Sequence, residues 1–92
     1  MDSALIVSYT EKSIAYLTDI LKEASVSNIT TVSNAGEARR ILVEKDFDLC
    51  IVNAPLPDEF GESLARNIAE KEASEVILLA KAELFDEISD RV

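Results

Sequence analysis

Four short runs of apolar residues punctuate the chain, and between them apolar residues recur every three or four positions. The runs are Ala4-Leu5-Ile6-Val7, Ile29-Thr30-Thr31-Val32, Leu49-Cys50-Ile51-Val52 and Val76-Ile77-Leu78-Leu79-Ala80. All four read as strands: the first as buried on both faces, the third as a central parallel strand, and the second from β-branched residues that suit a pleated backbone. After the first run, Ile14, Leu17, Leu21 and Ala24 stand at helical spacing, flanked by Tyr16 and Ile20. Thr10 is placed to cap that helix, and Glu11 sits in the first turn, where the helix dipole favours an acid. Asn34 starts a second helix, with Glu37 three positions on as a variant of the capping box. Ala38, Ile41 and Leu42 form its apolar face, and Lys45-Asp46 closes it. Leu64, Ala65, Ile68 and Ala69 mark the inward face of a third helix, and Leu84, Ile88 and Val92 mark a fourth over 83–92.

Strand and helix thus alternate, with short connections. That order predicts an α/β fold: a parallel sheet, right-handed crossovers and helices on both faces. Ligands of such sheets sit beyond the carboxyl ends of the strands, near the point where strand order reverses. The ends in question are Ser8-Tyr9, Asn53-Ala54 and Ala80-Lys81. Between the last two runs, two prolines and a glycine in Ala54-Pro55-Leu56-Pro57-Asp58-Glu59-Phe60-Gly61 require a loop.

Composition narrows the function. The 92 residues suffice for one small domain, 1–92, with no repeat and no linker, and 48% apolar content supplies a core. The formal net charge is −9 and histidine is absent. Such a surface repels phosphate backbones and offers no basic cluster to an anionic membrane, so this segment is expected to bind neither nucleic acid nor membrane. A single cysteine, Cys50, excludes an internal disulfide and a cysteine zinc site; inside an apolar strand it reads as core. No basic stretch precedes a long apolar run at the N-terminus, so no signal peptide is expected and the cytoplasm is the expected compartment. With no metal set expected and only Gly36 and Gly61 available, no phosphate-cradling glycine motif can be written. Without histidine no nucleophile with an adjacent base can be assembled. No enzyme activity and no cofactor are expected.

The stretch from Leu49 to Gly61 resembles the receiver domain of bacterial response regulators. Receivers carry an apolar third strand ending in a phosphoacceptor Asp, a Pro four residues later and a Gly eight residues later. Pro57 and Gly61 stand at those distances from Asn53. Asn34-Ala35-Gly36-Glu37-Ala38 also resembles the start of the family's second helix. The resemblance covers essentially the whole chain. It implies a flavodoxin-like three-layer αβα fold with strand order 2-1-3-4-5, here without the fifth strand and last helix.

The same resemblance marks departures. Asn53 occupies the phosphoacceptor position, Ser8 and Tyr9 stand where receivers hold an acidic pair for Mg²⁺, and Ala80 falls where a Thr or Ser switch residue is found. An amide oxygen is neutral and a poor nucleophile beside a carboxylate. Mg²⁺ demands hard anionic oxygens, and the substitutions remove about three negative charges from its site. Each carboxylate near a divalent ion is worth several kcal/mol at an effective dielectric of ~20. The expected function is therefore a signal-transduction regulatory domain: a degenerate receiver acting by phosphorylation-independent contact with a protein partner or a second copy, on an output module outside this chain. Neutralising the site also removes self-repulsion, which favours one locked conformation. Among receivers, the run from Asn53 to Gly61 looks most like the degenerate receivers of ANTAR-type antitermination regulators. That likeness implies RNA contact only through a C-terminal helical module outside this segment.

Two other functions compete. One is a small flavodoxin-like domain binding a nucleotide or flavin. The other is a working receiver using a different carboxylate, such as Asp58. Asp58, Glu59 and Glu62 otherwise read as a solvated acidic start to the third helix, Tyr9 as partly filling the emptied pocket, and Lys81 as a surface lysine. A chain ending at Val92 would leave the fourth strand with an unpaired apolar edge, and a dimer covering that edge is expected.

Overall fold

The apolar runs become the strands of a parallel sheet. The structure is a computed structural model that describes residues 2–80. Along the chain it shows β1 (Ser3–Val7), α1 (Glu11–Glu23), β2 (Asn28–Val32), α2 (Ala35–Glu44), β3 (Leu49–Ala54), α3 (Glu62–Glu70) and β4 (Glu75–Ala80). The sheet order is β2-β1-β3-β4, the order expected for the first four strands. The expected helix over 83–92 and Lys81 lie outside the described residues.

Register assigns each face its residues, because partners in a parallel ladder point the same way. Ala4 and Ile6 of β1 lie beside Leu49 and Ile51 of β3. Together they bury against Leu17 and Leu21 of α1 and against Val26. The alternate residues, Leu5 and Val7 with Cys50 and Val52, bury against Ala35 and Ala38 of α2, Leu64, Ala65 and Ile68 of α3, and Phe47. Each fully buried side chain of this size contributes about 1.5–3 kcal/mol. Both faces of β1 and β3 are therefore dry, which explains why their sequences are continuously apolar. Cys50 is fully buried, as expected, and burial pushes its thiol above the ordinary range.

The helix starts follow the capping residues. Thr10 Oγ1 accepts the Ser13 amide at 3.2 Å, and Asn34 Oδ1 accepts the Glu37 amide at 2.8 Å. Glu37 reaches back to the Ser33 amide at 3.2 Å, one residue before the cap rather than the cap itself. α3 starts differently. Gly61 caps it with φ of 119° and no side-chain bond, and a Cβ there would stand 3.0 Å from Val52 Cγ1. Both the backbone region and the close approach require glycine. At the other end of the sheet Asp48 Oδ2 accepts the Asp2 and Ser3 amides at 2.8 and 3.2 Å, fastening β1 to the start of β3.

One inward assignment needs correction. Ala69, expected to face the core, is exposed, because α3 lies over β3 and β4 with Leu64, Ala65 and Ile68 as its contact stripe. β4 is apolar yet open to solvent: Ile77, Leu78 and Leu79 are 45, 40 and 37% exposed. Among the described residues β4 pairs on one side only, with β3.

Candidate functional site

Strand order reverses at β1: β2 lies on one side of it and β3 on the other. The crevice that this reversal opens lies at the carboxyl ends of β1 and β3, where Ser8 and Asn53 stand. Its volume is about 180 Å³, and it is lined by Ser8, Tyr9, Thr10, Ser13 and the chain from Asn53 to Pro57. Continuing the alternation along β1 and β3 turns Ser8 and Asn53 to the α1 side, after Ile6 and Ile51. Asn53 Nδ2 donates to Ser8 Oγ at 3.1 Å. Ser8 is fully buried, and its amide donates to the Val32 carbonyl at 3.0 Å. Thr10 Oγ1 donates to Ser13 Oγ at 2.8 Å.

No Asp, Glu, Lys or Arg among the described residues lines this crevice. Among the described residues no group of three or more His, Cys, Asp or Glu side chains could hold a metal ion. The side-chain polar groups of the crevice are hydroxyls and one carboxamide, and two bonds join them, Asn53 to Ser8 and Thr10 to Ser13. Two carboxylates at the Ser8 and Asn53 positions would repel by about 4 kcal/mol at 4 Å and an effective dielectric of 20. The hydroxyl and amide instead form a bond worth about 0.5–1.5 kcal/mol. Among the described residues the crevice presents no anionic nucleophile.

The residues singled out from the sequence divide into three groups. Ser8, Tyr9, Asn53 and Pro57 come together at the crevice. Tyr9 stands on its wall but is 62% exposed, so it fills the pocket less than expected. Gly61 lies beneath, against Val52, Ala54 and Leu56, where it shapes the loop rather than the crevice. Ala80 ends β4 beside Ala54, one step past the Asn53–Leu79 pair, and does not line the crevice.

Glu62 is the exposed acid in the first turn of α3, as expected, but Asp58 and Glu59 are not part of that solvated start. Asp58 Oδ1 accepts the Ala35 amide and Oδ2 the Gly36 amide, each at 2.9 Å, so Asp58 completes the N-terminus of α2. These two bonds hold its carboxyl below the usual carboxylate range. Glu59 takes Arg39 of α2 in a two-pronged ion pair, Nη1 to Oε2 at 2.6 Å and Nη2 to Oε1 at 3.2 Å. Glu62 pairs with Arg66 one turn along α3 at 2.7 Å. Sequence reasoning missed the α2 attachment because Asp58 lies 23 and 22 positions from its partners. A signal was present in Ala35-Gly36, whose small side chains leave the first amides of a helix open to approach.

A larger hollow, about 250 Å³, separates the C-terminal halves of α2 and α3. Leu42, Val43, Leu64 and Ile68 give it apolar walls, and Arg39, Asp46, Asn67, Lys71 and Ser74 also line it. The smaller crevice is the candidate site because it lies at the switch point of the sheet and gathers the residues at the strand ends.

Two solved structures share this architecture along nearly the whole chain. The MaeR response regulator bound to beryllium trifluoride matches with a TM-score of 0.77 and 18% identity, covering 99% of this chain and 76% of that one. An aspartate-to-alanine mutant of the MaeR response regulator bound to sulfate matches with a TM-score of 0.81 and 17% identity, covering 98% and 75%. No family model matches the sequence, and no curated protein matches it. The fold of this chain is that of a response-regulator receiver.

Proposed function

We propose that the chain is a signal-transduction regulatory domain of the receiver type whose switch-point crevice does not accept a phosphoryl group, and that it acts through protein–protein contact on an output outside this chain. The observation that carries the reading is the Asn53–Ser8 hydrogen bond in a crevice that no charged side chain lines among the described residues. Phosphoryl transfer to a carboxylate needs an anionic oxygen at that spot and a divalent cation to neutralise the incoming charge. Neither the carboxamide of Asn53 nor the hydroxyls of Ser8, Thr10 and Ser13 supplies the anion. The MaeR structures were determined with beryllium trifluoride and with sulfate; on this reading the crevice of this chain has no comparable response to a phosphoryl mimic with Mg²⁺.

The test is a titration with beryllofluoride or acetyl phosphate plus Mg²⁺, followed by NMR and intact mass. Ser8, Asn53 and Leu56 resonances are expected to stay in place and the mass to stay constant. A phosphoryl adduct, or a shift of those resonances that depends on Mg²⁺, overturns the reading.

On this reading a second copy docks on β4, a choice supported by the exposed Ile77, Leu78 and Leu79 beside a backbone edge unpaired among the described residues. Such edges recruit further strands. Self-association through it is expected to appear in sedimentation as a concentration-dependent dimer. A chain that stays monomeric at high concentration and captures no partner through β4 removes this part of the proposal.

A further inference from the structure

We infer that the loop between β3 and α3 is a strap that makes the crevice and the first turn of α2 move as one unit. This goes beyond the chemistry of the crevice and holds whether or not Asn53 can be modified. The loop has two sides with different duties. Ala54, Pro55, Leu56 and Pro57 form one wall of the crevice. The next two residues leave the crevice and grip α2.

The grip falls on the helix amides themselves. The first amides of a helix have no partner within it unless caps or other groups supply one. In α2 the Ala38 amide makes the first intrahelical bond, to the Asn34 carbonyl at 3.2 Å, and Asn34 Oδ1 takes the Glu37 amide. The two amides between, Ala35 and Gly36, are taken by the two oxygens of Asp58. Displacing the loop therefore uncaps α2, and displacing α2 strips both acceptor oxygens of Asp58. The Glu59–Arg39 pair fixes the same loop one helical turn further along.

The strap is also stiff between its ends. The Leu56 amide donates to the Glu59 carbonyl at 3.0 Å, closing a tight turn across the very residues that separate the two sides. Leu56 is buried in the α2–α3 core, and Gly61 is seated against Val52. A shift of the crevice wall cannot be absorbed inside the turn, so it is passed to Asp58 and on to Ala35 and Gly36. Further down, the hollow between the C-terminal halves of α2 and α3 leaves room for such a tilt.

The test is amide hydrogen exchange and NMR on the full chain, read at both ends of the strap. In Asp58→Ala, exchange is expected to rise roughly fivefold at Ala35 and Gly36, as for a lost helix cap, and by a similar factor at Leu56. The Asn53 side-chain amide should shift with it. Glu59→Gln keeps Asp58 in place and serves if Asp58→Ala fails to fold; it should give the same pattern at smaller amplitude. From the other end, Ser8→Ala should move the Ala35 and Gly36 amides. If the changes stay at 34–38 in the strap variants and at the crevice in Ser8→Ala, Asp58 is a local cap and the inference is overturned.

Discussion

Two adjacent stretches of one loop treat charge in opposite ways. From Asn53 to Pro57 the chain borders a crevice of hydroxyls, an amide and apolar groups; from Asp58 to Glu59 every carboxylate oxygen is hydrogen-bonded to α2. The acids have not been lost from this end of the sheet. They stand a few residues further on, where they hold structure. A carboxylate whose oxygens are filled by backbone amides is stabilised as an anion, but it is not presented to an incoming phosphorus. Asp58 would have to abandon Ala35 and Gly36 to act as an acceptor. That geometry argues against the reading in which Asp58 substitutes for Asn53.

The largest effect is expected at Gly61, which ends the loop. Gly61→Ala puts a Cβ at φ of 119° and 3.0 Å from Val52 Cγ1. Backbone strain and overpacking cost about 1–3 kcal/mol each, so urea denaturation should show a loss of at least about 2 kcal/mol. Gly36, on the strap side, offers the contrast. A Cβ there would meet Asn34 Oδ1 at 3.4 Å and Asp58 Oδ2 at 3.5 Å, which is ordinary contact. In a helix, alanine gains about 0.5–1 kcal/mol over glycine. Gly36→Ala is thus expected to be neutral or mildly stabilising; a loss comparable to that of Gly61→Ala would show the strap to be fitted more tightly than these distances imply.

Acid distinguishes the two regions next. Asp58 and Asp48 are both held below the usual carboxylate range, by amides of Ala35 and Gly36 and by amides of Asp2 and Ser3. A carboxyl whose folded pKa is depressed stabilises the fold fully above its unfolded value of about 3.9. That contribution fades as pH falls from there through the folded value, because the unfolded chain binds protons first. Stability should therefore be level near neutrality and decline below about pH 4. Asp58→Asn should flatten part of that decline. Ser8→Ala, in the uncharged crevice, should lower the whole curve without changing its slope. Equal slopes for Asp58→Asn and the parent chain would remove the assigned role of Asp58.

Much of this molecule could be read from its sequence because its two central strands, β1 and β3, are buried on both faces. Leu5 to Val7 and Cys50 to Val52 announce themselves as uninterrupted apolar runs, and the capping residues Thr10 and Asn34 mark two helix starts correctly. Ser8 and Asn53 could be placed in the crevice because strand ends follow directly from strand runs. The strap could not, since its partners are distant in sequence and belong to different elements. Local charge patterning gives Asp58, Glu59 and Glu62 one shared explanation, whereas the fold gives them three. For β4 the run reports how apolar it is, while its exposure depends on what lies beside it.

The smallest effects test whether the strap's ion pair differs from an ordinary one. Arg39–Glu59 and Arg66–Glu62 have nearly equal closest distances, 2.6 and 2.7 Å. The second spans one turn of α3, with both side chains more than half exposed at 61 and 65%. It is worth about 0.3–0.5 kcal/mol and should fade with salt. The first joins two elements with two bonds, and its side chains are less exposed, at 41 and 28%. Its direct worth stays within the range of about 0.2–1 kcal/mol measured for surface pairs. A double-mutant cycle on each pair should give the larger coupling for Arg39–Glu59, with weaker salt dependence. The separating measurement is exchange at Leu56. Arg39→Met should raise it, because Arg39 holds the loop through Glu59, while Arg66→Met should leave it unchanged, because Glu62 lies outside the turn. Equal responses would mean that the loop feels only the general loss of stability, and the contrast between its two halves would then rest on Asp58 alone.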